Sequence, residues 1–531
     1  MPLLERRRTH ILPTTLLALC TCLVSTTTLA ATLRIDNGAE PRSLDPQKIT
    51  GLHEMRIDRE LFEPLVSLDA QGKPIPGLAY EWEISPDGTT WTFHLRDAQW
   101  SDGTPITAED AVFAFQRALL PATHSPNANL FYPIVNAQAV NTGHQPPSAL
   151  GVRALDEKTF EVKLTAPVSY MLDVFTDTAL APLPRHALKA LDNAQWIAQQ
   201  PLVVSGPYRL AHWVPQVEVG LEKNTQYYQA NEVQLDNAVF YPIDNGTSAL
   251  NRYRSGDLDI SYSQVPSARY EWVKQHLADD LKTYPVYVHY GYLPNMRSGQ
   301  PLADKRIREA MNLTLDRTVI TDKIIRSGQI PSWSSVPSIV VQGQPPIEFA
   351  FKSWPAEQRL ARAKTLMHEA GYGLDHPLEL EMSLNSVDEH RRIAVALSAM
   401  WKPLGINTHF TVREGVAHYG SIHQGQFQLG RYAFAGVVNT PADELSMYVS
   451  NAANNYTGYH NPEFDRYVAQ GIHARSQKEA DEAFAAAQRL LIDDMAVIPI
   501  FAQTQSSLVS TRLKGWAPNP LDMHPLRYLS F

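Results

Sequence analysis

The sequence of 531 residues is too long for one ordinary domain and long enough for two or three lobes with hydrophobic cores of their own. Its composition, 44% hydrophobic and 19% charged without a low-complexity tract, is typical of a folded globular protein. The formal net charge of −9 argues against the basic surface that nucleic acid requires, so we expect no nucleic-acid partner.

The first thirty residues carry the pattern of a secretory signal peptide. Arg6, Arg7 and Arg8 precede an apolar stretch over 11–24, and Thr28-Leu29-Ala30 supplies a small-x-small cleavage site. The apolar stretch is too short for a membrane span, and no later segment reaches the ~18 apolar residues that a span needs. We therefore predict that residues 1–30 are removed and that the mature protein is periplasmic.

Both cysteines, Cys20 and Cys22, fall inside this predicted signal. They follow Leu19 and Thr21, neither of which is the small residue that usually precedes a lipidated cysteine. A soluble protein is therefore expected rather than a lipid-anchored one, although the sequence does not decide whether either cysteine is ever lipidated. The mature chain would contain no disulfide despite its oxidising compartment.

The mature chain mixes strand and helix patterns without regular alternation. Period-two patterns predict four strands, at 33–36, 91–96, 159–164 and around 208–213. Helical patterns are found at 58–66, 304–327, 356–370 and 481–495, and a further helix begins after Thr107-x-x-Asp110. Residues 121–150 are rich in Pro, Asn and His with little periodicity, so we expect an extended surface excursion there. Together these patterns predict an α/β, multi-lobed protein.

Common catalytic and nucleotide-binding motifs are missing from the sequence. It contains no G-x-S-x-G, H-E-x-x-H, G-x-G-x-x-G or P-loop pattern. His53-Glu54 and His368-Glu369 lack a second histidine at helical spacing, and the adjacent acids Asp493-Asp494 would point apart on a helix. We therefore predict no metal, no cofactor and no enzymatic activity. A triad of residues distant in sequence is not excluded by this argument.

Nine segments spread over the mature length carry a family pattern. They are, in order, 43–51 (SLDPQKITG), 61–66 (LFEPLV), 91–117, 205–210 (SGPYRL), 251–260 (NRYRSGDLDI), 315–317 (LDR), 370–373 (AGYG), 423–427 (HQGQF) and 459–465 (YHNPEFD). In this order they resemble the oligopeptide-binding proteins of bacterial ABC importers and their murein-tripeptide-binding relatives. The chain is identified by this resemblance as a member of extracellular solute-binding protein family 5.

The resemblance implies an α/β periplasmic-binding-protein fold (class C, type II-like) with three lobes and two jaws that close by a hinge. Lobe one is expected to comprise 31–62, 186–287 and 505–531, lobe two 63–185 and lobe three 288–504. A peptide or peptide-like ligand would lie between lobes one and three as an added strand. The implied partners are the permease subunits of an ABC transporter, served by a monomeric binding protein.

The resemblance also implies ligand-binding positions. Thr50-Gly51-Leu52 corresponds to the lobe-one segment that pairs with the peptide, and Phe434-Ala435-Gly436 to the lobe-three segment on its other side. Arg431 and His390 correspond to basic residues that meet the peptide carboxylate at different peptide lengths. The alternatives are a structural ion pair for Arg431 and a surface helix position for His390.

At three positions the sequence departs from the family pattern. Val437 replaces the aspartate that pairs with the peptide ammonium, while Ile422 and Gly415 replace an arginine and a tryptophan. Removing one partner of a buried ion pair costs about 3–5 kcal/mol, which is roughly a hundredfold or more in affinity. Asp443 and Glu444 are the nearby acids available to compensate.

A further pair of changes concerns Val288 and Ala435, which stand where close members of the family have two cysteines joined in a disulfide. Their joint loss is expected if the alignment is in register.

Three hypotheses for function follow. The first is a binder of peptides whose N-terminus is blocked, modified or bulky and apolar, with carboxylate recognition kept. The second keeps the fold but changes the ligand to a murein fragment, an oligosaccharide, an opine-like compound or a peptide antibiotic, with Phe131, Tyr132 and Phe434 as stacking platforms. The third is a peptide-handling enzyme or a periplasmic chaperone, which the lack of a nucleophile–base arrangement disfavours.

Overall fold

The computed structural model describes residues 31–193, 195–341, 344–436 and 438–531. The predicted signal peptide and Val437 lie outside the described residues. Among the described residues, no helix combines the length and the apolar character that crossing a membrane requires.

Strands and helices are mixed along the whole chain. The strands are β1 (Thr32–Asp36), β2 (Val66–Leu68), β3 (Pro74–Pro76), β4 (Ala79–Ile84), β5 (Thr90–Leu95), β6 (Val152–Ala154), β7 (Thr159–Lys163), β8 (Tyr208–Val214), β9 (Glu218–Lys223), β10 (Asn237–Tyr241), β11 (Ile260–Ser261), β12 (Leu281–Pro294), β13 (Ile330–Pro331), β14 (Leu378–Asn385), β15 (Ile406–Arg413), β16 (Leu429–Ala435) and β17 (Ile498–Val509). The helices are α1 (Leu52–Leu61), α2 (Ala108–Ala118), α3 (Ala137–Asn141), α4 (Met171–Val174), α5 (Arg185–Leu188), α6 (Gly246–Arg254), α7 (Ser267–His276), α8 (Lys305–Thr314), α9 (Arg317–Val319), α10 (Ala356–Glu369), α11 (Asp388–Trp401), α12 (Gly415–His423), α13 (Pro441–Leu445), α14 (Pro462–Ile472) and α15 (Gln477–Asp493).

Local sequence accounts for several of these boundaries. All four predicted strands are confirmed, as β1, β5, β7 and β8. The helix predicted after Thr107 is α2, whose capping box joins Thr107 and Asp110: the Thr107 N–H donates to Asp110 Oδ2 at 2.9 Å. The helix predicted over 58–66 begins earlier, at Leu52, and ends at Leu61.

The expectation for residues 121–150 was wrong. This segment is folded into short helical turns and α3, and its apolar side chains Phe131, Ile134 and Val140 are completely buried. These side chains are spaced among polar residues without a clear period. Each of them nevertheless belongs to a hydrophobic core.

One large sheet runs through much of the molecule. In the described part of the chain it has eleven strands in the order β15-β14-β16-β12-β17-β11-β1-β10-β9-β8, with β13 beside β17. The long antiparallel strands β12 and β17 form its middle, and their register shifts between Pro285 and His289. Two small sheets, β2-β3 and β4-β5-β7-β6, lie apart from it.

Three large hydrophobic cores can be distinguished within the described residues, and we name the surrounding parts after them. Lobe one surrounds a core drawn mainly from 33–62, 181–262 and 509–529. Lobe two surrounds a core drawn mainly from 65–180. Lobe three surrounds a core drawn from 287–501. The chain bounds predicted for each lobe stay predictions, because a core does not mark where the chain of one lobe ends.

Candidate functional site

A cavity of about 380 Å³ lies where the three lobes meet. Its walls come from the start of α1, from α4 and the turn after it, from the middle of β12 and β17, and from the end of β16. Of the positions predicted for ligand binding, it brings together Thr50, Leu52, Ala435 and Gly436. The lining is largely apolar with a few charged side chains, which is the usual make-up of a ligand site.

A buried carboxylate fixes the turn at the lobe-one wall. Glu54 accepts hydrogen bonds from the backbone N–H groups of Arg42, Thr50 and Gly51 at 2.9–3.0 Å. Burial alone would raise the pKa of Glu54. The three hydrogen bonds together lower it by more than burial raises it, so its pKa lies below the ordinary value. The N–H groups of Thr50 and Gly51 therefore donate to Glu54 and are not available to a ligand. Leu52, 44% exposed, contributes its side chain to the cavity wall.

Strand β16 has an open edge along its second half. On one side it pairs with β12 from Leu429 to Ala435, whereas on the other side β14 pairs only with Leu429 and Gly430. The Gly436 N–H donates to the Tyr287 carbonyl at 2.9 Å, so by alternation Ala433 and Ala435 point their backbone groups away from β12. Within the described residues no strand occupies that side.

Arg431 begins this open edge. Its side chain is buried, with the residue 6% exposed, and its guanidinium lies 4.7 Å from the centre of the Tyr290 ring. Nη1 donates to the Tyr419 hydroxyl at 2.6 Å, and Nε has no hydrogen-bond partner among the described residues. Among the described residues no carboxylate lies within ion-pair distance of it, so the alternative of a structural ion pair does not hold.

His390 lies on the other side of the same tyrosine. Its Nδ1 hydrogen-bonds the Tyr290 hydroxyl at 3.2 Å, and the side chain is half-buried rather than on the surface. Burial lowers the pKa of His390 to about 3, and the positive charges of Arg431 and His418 add to the effect. His390 is therefore neutral at pH 7 and accepts or donates a hydrogen bond without adding charge. Neither residue lines the 380 Å³ cavity: Arg431 lies toward the start of β16 and His390 in α11.

The two acids considered as replacements for the family aspartate, Glu444 and Asp443, already have other partners within the protein. Glu444 is buried and pairs with His289 Nδ1 at 2.8 Å, and Asp443 Oδ2 accepts from the Val438 N–H at 3.2 Å. Neither lines the cavity. Ile422 is fully buried in the lobe-three core, which explains its apolar character, and Gly415 is the first residue of α12.

The proposed stacking platforms fare differently. Phe131 is fully buried in the lobe-two core, so its assignment as a platform was wrong. Tyr132 is half-buried and donates to Asn141 Oδ1 at 3.0 Å. Phe434 packs against Tyr287 with ring centroids 5.6 Å apart and does not line the cavity.

The positions of the missing disulfide are adjacent. Val288 and Ala435 are direct partners across β12 and β16, which confirms the register inferred from the sequence.

Sequence analysis missed Tyr290, Ala433 and the cavity acid Asp173. Tyr290 and Ala433 carry no motif, and only their strand pairing places them beside Arg431 and at the open edge. Asp173 lies in lobe two, far along the chain from β16. Among the described residues no group of three or more potential metal ligands was found.

Comparison with known proteins decides the family. The model of bacterial extracellular solute-binding proteins, family 5 (middle region), matches residues 73–456. The chain belongs to this family. The α/β periplasmic-binding-protein fold predicted from the sequence is thereby confirmed.

Family 5 relatives cover nearly all of the chain. The periplasmic oligopeptide-binding protein OppA of Salmonella typhimurium is 34% identical over 496 residues, 92% of this chain and 91% of that protein. The unliganded open form of MppA, a periplasmic murein tripeptide binding protein, is 32% identical with a TM-score of 0.86 and coverage of 94% and 97%. The complex of Haemophilus influenzae OppA with the peptide RPPGFSPFR is 34% identical with a TM-score of 0.75 and coverage of 94% and 99%.

These two structural matches differ in TM-score. The open form of MppA gives the higher TM-score although its sequence identity is the lower of the two. The described lobes therefore superpose better on that open form than on the peptide complex of OppA, and sequence divergence does not account for the difference.

Proposed function

We propose that this protein is a periplasmic binding protein that captures short peptides by their carboxylate and delivers them to the permease subunits of an ABC transporter. The observation that carries the proposal is Arg431, a buried guanidinium without an anionic partner at the start of an open strand edge. The names of the relatives, which are periplasmic binding proteins for oligopeptides and murein peptides, support the same class of ligand.

The electrostatics favour an anionic ligand group at Arg431. A buried charge without a partner is costly, and a carboxylate that enters its surroundings supplies both the opposite charge and charge-assisted hydrogen bonds. Nε and the adjoining His390–Tyr290 pair offer the additional hydrogen-bonding groups that such a carboxylate needs. Since His390 is neutral, Arg431 provides the charge that attracts the ligand carboxylate, and His390 helps to orient that carboxylate by hydrogen bonding.

The open edge of β16 favours an extended ligand. Ala433 and Ala435 present backbone donors and acceptors on the side that no described strand occupies. A peptide added there gains main-chain hydrogen bonds, which bind many sequences equally. Closure of lobes one and three over the peptide would then exclude water and present a closed form to the transporter.

The remaining parts of the proposal concern the oligomeric state and the activities that we do not expect. We infer that the protein acts as a monomer, has no catalytic activity and uses neither cofactor nor nucleic acid. The family membership and the acidic net charge support this view. Cleavage of peptides by the purified protein would contradict it.

The variant R431M tests the carboxylate site. In titration calorimetry of refolded mature protein, wild type should bind trialanine at least tenfold more tightly than trialanine amide. R431M should lose roughly a hundredfold or more in affinity for trialanine and no longer distinguish the two peptides. Its melting temperature should equal or exceed that of wild type, because an unpaired buried charge has been removed.

The matched control is R466M, which changes an exposed arginine of α14 that pairs with Glu463. It should bind both peptides like wild type. Equal affinity of R431M and wild type for trialanine would contradict the proposed role of Arg431.

A further inference from the structure

Asp173 is an acid of lobe two that faces the ligand cavity at the end of β16. It lines the 380 Å³ cavity together with Gly436 and Val438, and also a small adjoining crevice together with Asn439 and Thr440. It therefore stands between lobe two and the segment of lobe three that follows the open strand edge.

The carboxylate of Asp173 is the uncommitted one among the three acids of the cavity. Asp177 accepts the Ala179 N–H at 2.9 Å and caps a helical turn, and Asp522 forms an ion pair with Arg56. Among the described residues, the Asp173 carboxylate has no ion pair and no hydrogen bond from another residue; only its own backbone N–H acts on it. Burial raises the pKa of Asp173 to about 6, and no neighbouring cation offsets this. It is still charged at pH 7.

A second acceptor lies in the same crevice. Oδ1 of Asn439 is buried and has no hydrogen-bond partner among the described residues. Buried acceptors are normally satisfied, so this unpaired amide oxygen in the same crevice as the Asp173 carboxylate points to a donor that comes from outside the chain. A primary ammonium carries a positive charge and three N–H donors, which matches a carboxylate beside an amide oxygen.

The crevice is held in place by apolar packing. Val438 is buried in the hydrophobic core of lobe two, although it belongs to the lobe-three segment between β16 and α13. This contact fixes Asn439 close to α4. The two acceptors therefore keep their relative position without a ligand.

The open edge of β16 thus runs from the positive charge of Arg431 to the negative charge of Asp173. From Arg431 to Gly436 the strand advances by five residues, about 17 Å. A positive group lies at its start and a negative group at its end. A zwitterionic peptide of about five extended residues has the matching charges at the matching separation.

Resting on the proposed function, we infer that Asp173 and Asn439 bind the free ammonium group of the peptide ligand. The charge that position 437 lacks is thus supplied by lobe two. This differs from the expectation, based on Val437, that the ligand has a blocked or apolar N-terminus.

Pentaalanine and N-acetyl-pentaalanine, both with a free carboxylate, test the inference in titration calorimetry of refolded mature wild type and D173N. Wild type should bind pentaalanine at least thirtyfold more tightly than the acetylated peptide. D173N should lose roughly a hundredfold in affinity for pentaalanine and keep its affinity for the acetylated peptide within about threefold. The unliganded melting temperature of D173N should equal or exceed that of wild type, which separates lost recognition from misfolding.

The control D375N removes an exposed acid of lobe three and should behave like wild type. Equal or tighter binding of the acetylated peptide by wild type, or an unchanged preference in D173N, would overturn the inference while leaving the carboxylate site intact. If wild type binds neither peptide, both the inference and the proposed function are wrong.

Discussion

Glu54 shows how one buried carboxylate can fix a turn that faces the cavity. It satisfies three backbone N–H groups from two separate stretches of chain, Arg42 and Thr50-Gly51, and at the same time caps α1. The turn that precedes α1 therefore has its geometry before any ligand arrives. Sequence analysis assigned Thr50-Gly51-Leu52 to the site from the family pattern but did not identify the residue that holds it.

The variant E54Q should lower the free energy of unfolding by about 1–3 kcal/mol at pH 7, because charge-assisted hydrogen bonds are replaced by neutral ones. The folded-state pKa of Glu54 is lowered, so its stabilising contribution is present above pH 4.5 and is lost as the pH falls through the folded-state pKa. Urea unfolding at pH 7 and pH 3 should show a difference from wild type that shrinks in acid. The control E357Q, an exposed position in α10, should show no difference at either pH, and an E54Q deficit of equal size at both would contradict the argument.

At the residue scale the two halves of the site differed in how far they could be predicted. Arg431 and His390 belong to a family pattern that can be recognised in the sequence, although their shared contact with Tyr290 cannot. Asp173 has no such pattern. It reaches the cavity only because lobe two packs against the end of β16, a contact between distant parts of the chain.

At the scale of elements, the pairing of β12 with β16 offers a direct test. Val288 and Ala435 occupy a non-hydrogen-bonded pair, where Cα atoms are about 4.5 Å apart, within the range that a disulfide spans. The double variant V288C/A435C should therefore oxidise spontaneously. Because the predicted mature chain has no other cysteine, mispairing is excluded.

The expected result is a gain of about 2–4 kcal/mol in the free energy of unfolding, lost again on reduction. Thiol labelling under native and denaturing conditions measures the bond, and urea unfolding measures the gain. The single variant V288C serves as control. Free thiols in the folded double variant would show that the register of β12 and β16 differs from the one described.

Strands were predicted more accurately than helix starts, for a physical reason. Alternation of side chains across a half-buried strand such as β5 is visible within six residues. The start of α1 depends instead on Glu54 bonding back to Gly51, and Gly51 lacks the hydroxyl by which Thr107 marks a capping box before α2. The expectation of three lobes came from the family pattern. The burial of side chains within 121–150 depends on tertiary packing and could not be predicted from the local sequence.

At the scale of the whole molecule, β12 and β17 connect lobes one and three. Their lower halves pair at Leu281–Pro285 and their upper halves at His289–Tyr292, with the shift in register between them. Lobe two is linked to lobe three by Ser169, whose N–H and Oγ both donate at 2.8 Å, to the carbonyls of Ile472 and Gly471. Closure has to bend the two strands near this shift in register.

X-ray scattering should detect this closure. A compact chain of about 500 residues has a radius of gyration of about 23 Å. The unliganded mature protein should exceed this value, since the described lobes superpose better on the open form of MppA than on the peptide complex of OppA. Saturating trialanine should reduce the radius of gyration towards it, and R431M should remain at the unliganded value under the same conditions. An unchanged radius in wild type with calorimetrically proven binding would contradict closure.

The open edge of β16 also bears on self-association. An unpaired strand edge is a template on which other chains can pair, and it is the usual starting point of sheet aggregation. Here the unpaired side of the strand ends at Ala435, which lines the cavity where the three lobes meet. A cavity of about 380 Å³ is too small for a folded neighbour, whereas a short extended chain is narrow. This cavity would therefore hinder folded proteins, including further copies of this one, from pairing with the end of the strand.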